Sequence, residues 1–177
     1  MQLYAPEPLE PDRTGEPPIN KKPDVQAIFP AIPQFTSPKD NIFAGLRPPV
    51  DGFDWLQRNS VKTVVNVHAP GEDDSADRKQ VESRGLRYVS FEISPLTLTK
   101  ARTEEFIKVV RDGSKEGVFA YDRDGSLAGS MWYLFLRWSE FVDDEPAQLR
   151  ARALGLQINR DGAHRDMWLA VQRVLSE

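Results

Sequence analysis

The chain has 177 residues, of which 40% are hydrophobic and 28% are charged, and these values are typical of a soluble globular domain. The formal net charge of -4 at pH 7 argues against nucleic acid as the main partner, because a phosphate backbone selects basic surfaces. There is no cysteine, which excludes disulfides, thiolate metal sites and every mechanism that uses a thiol nucleophile.

The N-terminal region is rich in proline, since nine of the 14 prolines lie within the first 38 residues. Proline lacks a backbone N–H and disfavours helix in the residue before it, so we expect residues 1–31 to form an extended arm. Residues 32–177 are then the folded domain. A tail or linker is the simpler role for the arm, and a Pro-rich ligand for a partner domain is the alternative.

The sequence contains no membrane-spanning pattern, because no apolar run approaches the ~20 residues that cross a bilayer. The first residues show neither a basic region nor an apolar core, as a signal peptide would. We therefore expect a soluble protein, cytoplasmic if the chain is complete and exported if a leader has been removed.

Strand and helix signals alternate through the rest of the chain. Short apolar segments rich in β-branched and aromatic residues predict strands at 41–45, 62–67, 87–93 and 118–121. Apolar residues at helical spacing predict helices at 51–59, 74–83, 103–112, 130–141, 146–153 and 163–175. Thr103 is the predicted N-cap of the third helix, because Glu104 and Glu105 follow it in the first turn.

This order of elements predicts an α/β fold with a mostly parallel central sheet flanked by helices. Ligands of such sheets bind beyond the carboxyl ends of the strands, which directs attention to the loop after Tyr121. A loop that runs from a buried strand into a helix N-terminus suits an anion, because the first helical N–H groups are unpaired. Gly125 and Gly129 allow the tight backbone that such a loop needs.

Several segments resemble the dual-specificity protein phosphatases of bacteria: residues 41–48, 61–67, 85–89 and the predicted helix 103–112, in that order. The resemblance covers roughly residues 32–141 and implies a protein tyrosine phosphatase-like fold of the dual-specificity type. In that family the phosphate loop contains His-Cys, five residues and Arg. The Cys thiolate attacks phosphorus and the Arg binds two phosphoryl oxygens.

This chain departs from the family pattern at each catalytic position. Asp122 stands at the nucleophile position and Ala128 at the arginine position, while Gly125 is retained. The family's general acid is an Asp in the loop before the helix, but residues 94–102 contain no carboxylate. The resemblance therefore implies a pseudophosphatase without catalytic residues, cofactor or metal. Its candidate ligand-binding loop comprises Asp122, Arg123, Asp124, Gly125, Ser126, Leu127, Ala128, Gly129 and Ser130.

Electrostatics favour the same interpretation of the loop. Asp122 and Asp124 place two negative charges where a phosphate dianion would sit, and like charges ~4 Å apart repel by a few kcal/mol near a protein surface. We expect the carboxylate of Asp122 itself to accept the loop's N–H groups. The loop would then be structural and its donors already satisfied.

Two metal-dependent alternatives remain. Residues 122–127 also resemble the DxDGT motif of haloacid-dehalogenase-type phosphatases, in which Asp122 would be the nucleophile, Asp124 the acid/base and Mg²⁺ the cofactor. Alternatively, Asp122 and Asp124 form a divalent-metal site with Glu72, Asp73 and Asp74, although this acidic run is more typical of a solvated turn or helix start.

A domain with this fold but without its chemistry is best suited to binding, and the partner is an unknown protein or a small anionic ligand. The aromatic side chains of the C-terminal half are either interface anchors or core residues at helical spacing, and the core is preferred for Trp132 and Trp138. Tyr133 and Trp168 are the other two aromatic residues that could be interface anchors. His68 is expected to make a local hydrogen bond, and His164 is expected to be exposed.

Overall fold

The computed structural model describes residues 32–177, so the predicted arm at 1–31 lies outside the described residues. The described part contains five strands and six helices. In chain order these are β1 (Thr36–Lys39), β2 (Ile42–Leu46), α1 (Val50–Arg58), β3 (Thr63–His68), α2 (Ser75–Glu82), β4 (Arg87–Glu92), α3 (Lys100–Gly113), β5 (Val118–Asp122), α4 (Ser126–Trp138), α5 (Asp144–Ala153) and α6 (Ala163–Leu175).

The five strands form one mixed sheet in the order β1-β2-β5-β3-β4. All neighbouring pairs are parallel except the edge strand β1, which pairs antiparallel with β2. The mostly parallel α/β sheet predicted from the sequence is confirmed. Strand β1 was not predicted, because it is short, interrupted by Pro38 and paired through only two register positions, Thr36 with Ala44 and Lys39 with Ile42.

Helices cover both faces of the sheet, and the alternation of side chains along each strand sorts the core into two clusters. On one face Val64 of β3 and Phe119 of β5 pack with Phe53 and Leu56 of α1. On the other face the neighbouring strand residues, such as Val65, join the apolar residues of α3, α4, α5 and α6. Every residue of β3 and β5 is buried, which explains why apolar residues dominate both strands.

Helix α3 begins earlier than the sequence predicted. The N-cap is Thr99, whose side chain accepts a hydrogen bond from the N–H of Arg102 at 3.1 Å. Thr103 is fully buried inside the helix, where its hydroxyl donates to the carbonyl of Thr99 at 2.9 Å. The expected cap at Thr103 is therefore wrong, because both threonines are competent caps and tertiary burial selects the first.

Helix α4 also begins and ends earlier than predicted. It starts at Ser126 instead of residue 130, because Gly125 adopts a left-handed conformation (φ 87°) that turns the chain directly into the helix. It ends at Trp138, and Phe141 lies beyond it with a positive φ of 55° and a largely exposed ring. The predicted helix 130–141 is thus displaced towards the N-terminus.

The aromatic residues of α4 belong mainly to the core. Trp132 and Tyr133 are each 1% exposed, which confirms the preference for a core role at Trp132 and excludes both as surface anchors. Trp138 and Trp168 are half-buried and pack against the same cluster. Among residues 32–177, no helix is both long and apolar enough to cross a membrane.

Candidate functional site

A pocket of about 460 Å³ lies at the carboxyl ends of β3 and β5, where a parallel sheet is expected to bind its ligands. One wall is the segment that follows β5, residues 122–127. The facing wall is the segment from the end of β3 into α2, residues 66–77. Ser94 and Pro95, after β4, and the first turns of α6 complete the lining.

The side chain of Asp122 fills the loop between β5 and α4. One carboxylate oxygen accepts the N–H of Gly125 at 2.8 Å, and the other accepts the N–H groups of Leu127 at 2.8 Å and Ala128 at 3.0 Å. These donors belong to the N-terminus of α4, where an unpaired N–H is available and the helix dipole favours negative charge. The expectation that Asp122 takes up the donors of its own loop is confirmed.

Burial strongly affects the ionisation of this carboxyl group. Asp122 is 2% exposed, and burial raises its pKa to about 7 even though the three backbone hydrogen bonds act in the opposite direction. Asp124 behaves differently because it is half-exposed. Burial acts to raise the pKa of Asp124 too, but hydrogen bonds from the hydroxyl and N–H of Ser126 outweigh it, so that the pKa lies below its ordinary value.

The loop is held in place by a close backbone approach. A Cβ built on Gly125 would lie 2.5 Å from the carbonyl carbon of Gly155, which follows α5. One turn further on, a Cβ on Gly129 would lie 2.8 Å from the side chain of Leu156. These glycines are therefore needed for packing between the loop and the α5–α6 connection, and not only for the left-handed turn.

The facing wall carries three acidic residues in succession. Asp73 accepts the N–H of Ser75 at 2.9 Å, as a residue at a helix start does. Asp74 is the N-cap residue of α2, accepts the hydroxyl of Tyr88 at 3.0 Å and pairs with Arg78 on the next turn. The interpretation of residues 72–74 as a helix start is confirmed.

The two walls touch through one ion pair. Glu72 lies 2.6 Å from the guanidinium of Arg123 in the loop after β5. Arg123 is the only arginine within the candidate loop, and its side chain is 72% exposed and directed across the pocket towards Glu72. It is therefore engaged with a carboxylate and not turned into the cradle of backbone N–H groups.

A cluster of three side chains in the wall of the pocket was not predicted. Arg47, just after β2, binds the carboxylate of Asp77 on α2 through Nε at 3.0 Å and a terminal nitrogen at 2.6 Å. The hydroxyl of Tyr121 donates to the same carboxylate at 2.8 Å, and burial together with Asp77 raises the pKa of Tyr121. No sequence signal connects these residues, because 30 and 44 positions separate Asp77 from its two partners.

Both histidines are buried. His68 ends β3 and contacts the hydroxyl of Ser90 at 2.6 Å and the carbonyl of Ala69 at 2.9 Å, so the expected local hydrogen bond is confirmed. His164 is 2% exposed, and the prediction that it is exposed is wrong. Its Nδ1 accepts the N–H of Gln157 at 3.1 Å, because the chain before α6 folds over it, and burial lowers its pKa.

The positions that the resemblance marks as catalytic hold other groups. Ala128 lies in the first turn of α4, and its contribution to the loop is its backbone N–H. The loop between β4 and α3 places Ser94 and Pro95 against the pocket and exposes Leu96, at 91%. Within residues 32–177, no group of three or more His, Asp or Glu side chains is arranged to hold a metal ion.

Comparison with known proteins identifies the fold. No family model matches the sequence, and no curated protein matches it. Solved structures do match, with low sequence identity. TpbA of P. aeruginosa is 19% identical with a TM-score of 0.66, over 81% of this chain and 86% of its own. Tk-PTP in its active form is 15% identical with a TM-score of 0.64, over 82% of this chain and 98% of its own.

A third match extends the comparison to a eukaryote. The core catalytic domain of a PP-IP phosphatase from S. cerevisiae is 14% identical with a TM-score of 0.63, over 82% of this chain and 94% of its own. The chain has a tyrosine phosphatase-like fold. Identities of this size establish the fold alone, so what the pocket does must be argued from its own residues.

Proposed function

We propose that this chain is a pseudophosphatase: a tyrosine or dual-specificity phosphatase-like domain that binds a partner without hydrolysing a phosphoester. The observation that carries the proposal is the carboxylate of Asp122, which accepts three N–H groups of the phosphate loop. A carboxyl group in that position already engages these donors, so a substrate phosphoryl group would find them occupied, and above pH 7 it would also meet a negative charge.

This chain also lacks the groups with which the family attacks phosphorus and binds the phosphoryl oxygens. Covalent phosphoryl transfer to sulfur needs a thiolate, and the sequence contains no cysteine. The position that aligns with the arginine fork is Ala128, and Arg123 pairs with Glu72. Neither the transferred group nor its negative charge would be stabilised at this site.

The charge of the pocket favours a protein partner over a small anionic ligand. Seven carboxylates line the pocket, namely those of Glu72, Asp73, Asp74, Asp77, Asp122, Asp124 and Asp166. They face only two arginines, and both are already paired. An anionic ligand would be repelled, whereas basic or neutral groups on a protein surface would be tolerated.

Hydrolysis of a generic aryl phosphate, measured with and without Mg²⁺, tests the absence of catalysis. We expect no rate above buffer under either condition. A reproducible rate that Asp122→Ala removes would contradict the proposal, and a rate that also requires Mg²⁺ would revive the aspartate-nucleophile alternative. Geometry disfavours that alternative, because both oxygens of Asp122 are engaged with backbone N–H groups and the residue is 2% exposed.

Binding of inorganic phosphate to designed variants tests the self-satisfied loop directly. Asp122→Ser removes the carboxyl group that engages the loop and releases three N–H groups, so we expect phosphate to bind measurably to this variant and not to the original chain. Asp124→Asn is the matched control, because it removes the same charge while leaving the hydrogen bonds of Asp122 intact. Equal phosphate binding by all three proteins would overturn the assignment of Asp122.

A further inference from the structure

His164 is a buried ionisable group that the proposed function does not use. It lies in the first turn of α6 and is 2% exposed. One nitrogen of its ring contacts the α5–α6 connection, residues 154–162, and the other faces Asp124 in the loop after β5. The ring therefore stands between two segments that belong to different parts of the fold.

The hydrogen bonds of this ring determine which nitrogen carries its proton. Nδ1 accepts the backbone N–H of Gln157 at 3.1 Å, so the neutral ring holds its proton on Nε2. Nε2 is buried and has no hydrogen-bond partner within the described part of the chain. It lies 3.9 Å from Oδ2 of Asp124, which is too long for a hydrogen bond. The neutral ring is thus bonded to the α5–α6 connection alone.

Asp124 has one carboxylate oxygen available to accept a hydrogen bond from the ring. Its Oδ1 accepts the N–H and the hydroxyl of Ser126, whereas Oδ2 accepts no hydrogen bond from any residue between 32 and 177. The charge of Asp124 favours a protonated His164, and the charge of Arg160 in the α5–α6 connection opposes it. Burial is the largest influence, and it holds the pKa of His164 below its ordinary value of 6.5.

We infer that His164 is a pH-dependent switch, bonded to Gln157 when neutral and to Asp124 when protonated. A proton taken from solvent onto Nδ1 turns the acceptor of Gln157 into a donor, so two donors face each other and their hydrogen bond breaks. The positive ring is attracted to Asp124, and Nε2–H closes on Oδ2 to form a charge-assisted hydrogen bond. Acid thus transfers the ring from the α5–α6 connection to the loop after β5.

The switch acts on one wall of the main pocket. Asp124 lines this pocket, and so do Ala163 and Met167 on either side of His164 in α6. Leu154 and Leu156 are buried and hold the start of the α5–α6 connection in the core, so the change stays local. We therefore expect acid to draw the loop after β5 towards α6 and to free the N–H of Gln157.

An NMR titration of the full chain, from about pH 8 downwards until it unfolds, tests the switch. The ring resonance of His164 is the one absent from His164→Gln or, if that variant does not fold, the one retained in His68→Gln. We expect its midpoint below pH 6.5, and the hydrogen-exchange protection of the Gln157 amide should fall about tenfold or more with the same midpoint. Protection of the Leu156 amide, which donates to the carbonyl of Ala151, should not follow this titration.

Substitution of the charges around the ring tests the second position of the switch. Asp124→Asn should lower the midpoint of His164, and Arg160→Gln should raise it. Asp161→Asn is the matched control, because it removes an exposed negative charge from the α5–α6 connection that does not act on His164. Its midpoint should be unchanged. Protection of the Gln157 amide that does not follow the titration, a His164 that stays neutral until the chain unfolds, or equal shifts from Asp124→Asn and Asp161→Asn would overturn the proposal.

Discussion

The two walls of the main pocket carry the same kind of charge but neutralise it in different ways. On the wall after β5, Asp122 and Asp124 accept hydrogen bonds from groups no more than six positions along the chain. On the facing wall, Glu72, Asp74 and Asp77 meet side chains that come from distant segments. The first wall depends on local backbone geometry, and the second depends on how the elements are assembled.

This difference predicts how each wall responds to substitution. Hydrogen bonds within one short segment are lost when the backbone of that segment is altered, and the structural change stays in that segment. A cross-element arrangement fails when one partner is removed, because the remaining buried groups are left unpaired. The following experiments measure the two responses, each against a control on the same protein.

The largest effect is expected in the pH dependence that Asp122 imposes on stability. Burial raises its pKa in the folded protein to about 7 from the ordinary 3.8, so between these values the folded state holds a proton that the unfolded state has lost. The free energy of unfolding therefore falls as pH rises from about 4 to about 7, by as much as about 4 kcal/mol. Urea unfolding of the original chain and of Asp122→Asn across this range measures the difference.

Asp124→Asn is the control for this titration. Since the pKa of Asp124 is lowered in the folded state, its contribution is lost only as pH falls below its ordinary value of 3.8. Since Asp124 also acts on the pKa of Asp122 and of His164, the difference between the original chain and this variant should change between pH 4 and pH 7, but by less than the difference for Asp122→Asn. A flat difference for Asp122→Asn would show that its carboxyl group is ionised throughout the range.

Substitution of Gly125 is expected to give the second-largest effect, a loss in the free energy of unfolding. Gly125→Ala puts a Cβ 2.5 Å from the backbone of Gly155 at a φ of +87°, and strain plus overpacking should destabilise the fold by about 3 kcal/mol. Gly71, in the facing wall, has a similar φ of +77° but no atom within 4 Å of the added Cβ. Gly71→Ala should therefore lose only about 1 kcal/mol in the same denaturation assay.

Equal losses at the two glycines would mean that the contact with Gly155 does not constrain the loop. The comparison separates the two contributions, because both variants place Ala in a left-handed conformation and only one adds a steric clash. Such a result would leave the loop's own backbone as the feature that shapes the wall after β5.

The smallest of the three effects tests the facing wall. Asp77→Asn removes the charge that binds Arg47 and turns one donor towards another, so we expect a loss of about 2 kcal/mol. Asp54→Asn breaks a comparable contact with Arg84, at 2.6 Å, but Asp54 is 42% exposed. Its loss should be at most about 1 kcal/mol. Similar stability losses for the two variants in thermal unfolding would show that burial of Asp77 does not strengthen its contacts.

The parts of the fold that local patterns determine were predictable from the sequence. The apolar run at β3 and the helical spacing at α6 gave the correct element types, because each pattern lies within one segment. The hydrogen bonds of Asp122 were predictable for the same reason. A carboxylate at the end of a strand, a glycine three positions on and a helix N-terminus are contiguous in the sequence.

Features that depend on distant segments were not predictable. Asp77 gives no signal in the sequence for its contacts with Arg47 and Tyr121. His164 lies after a polar stretch, which indicated exposure, but the preceding chain folds over it. Thr99 and Thr103 are equivalent as caps by local criteria, and only the burial of Thr103 distinguishes them.

The close approach of Gly125 to Gly155 makes the conformation of the loop depend on the C-terminal helices. A graft of residues 122–130 into another phosphatase-like scaffold would arrive without the segment against which it is shaped. A graft that keeps the shape of the loop therefore has to include α5, α6 and the segment that connects them, and not residues 122–130 alone.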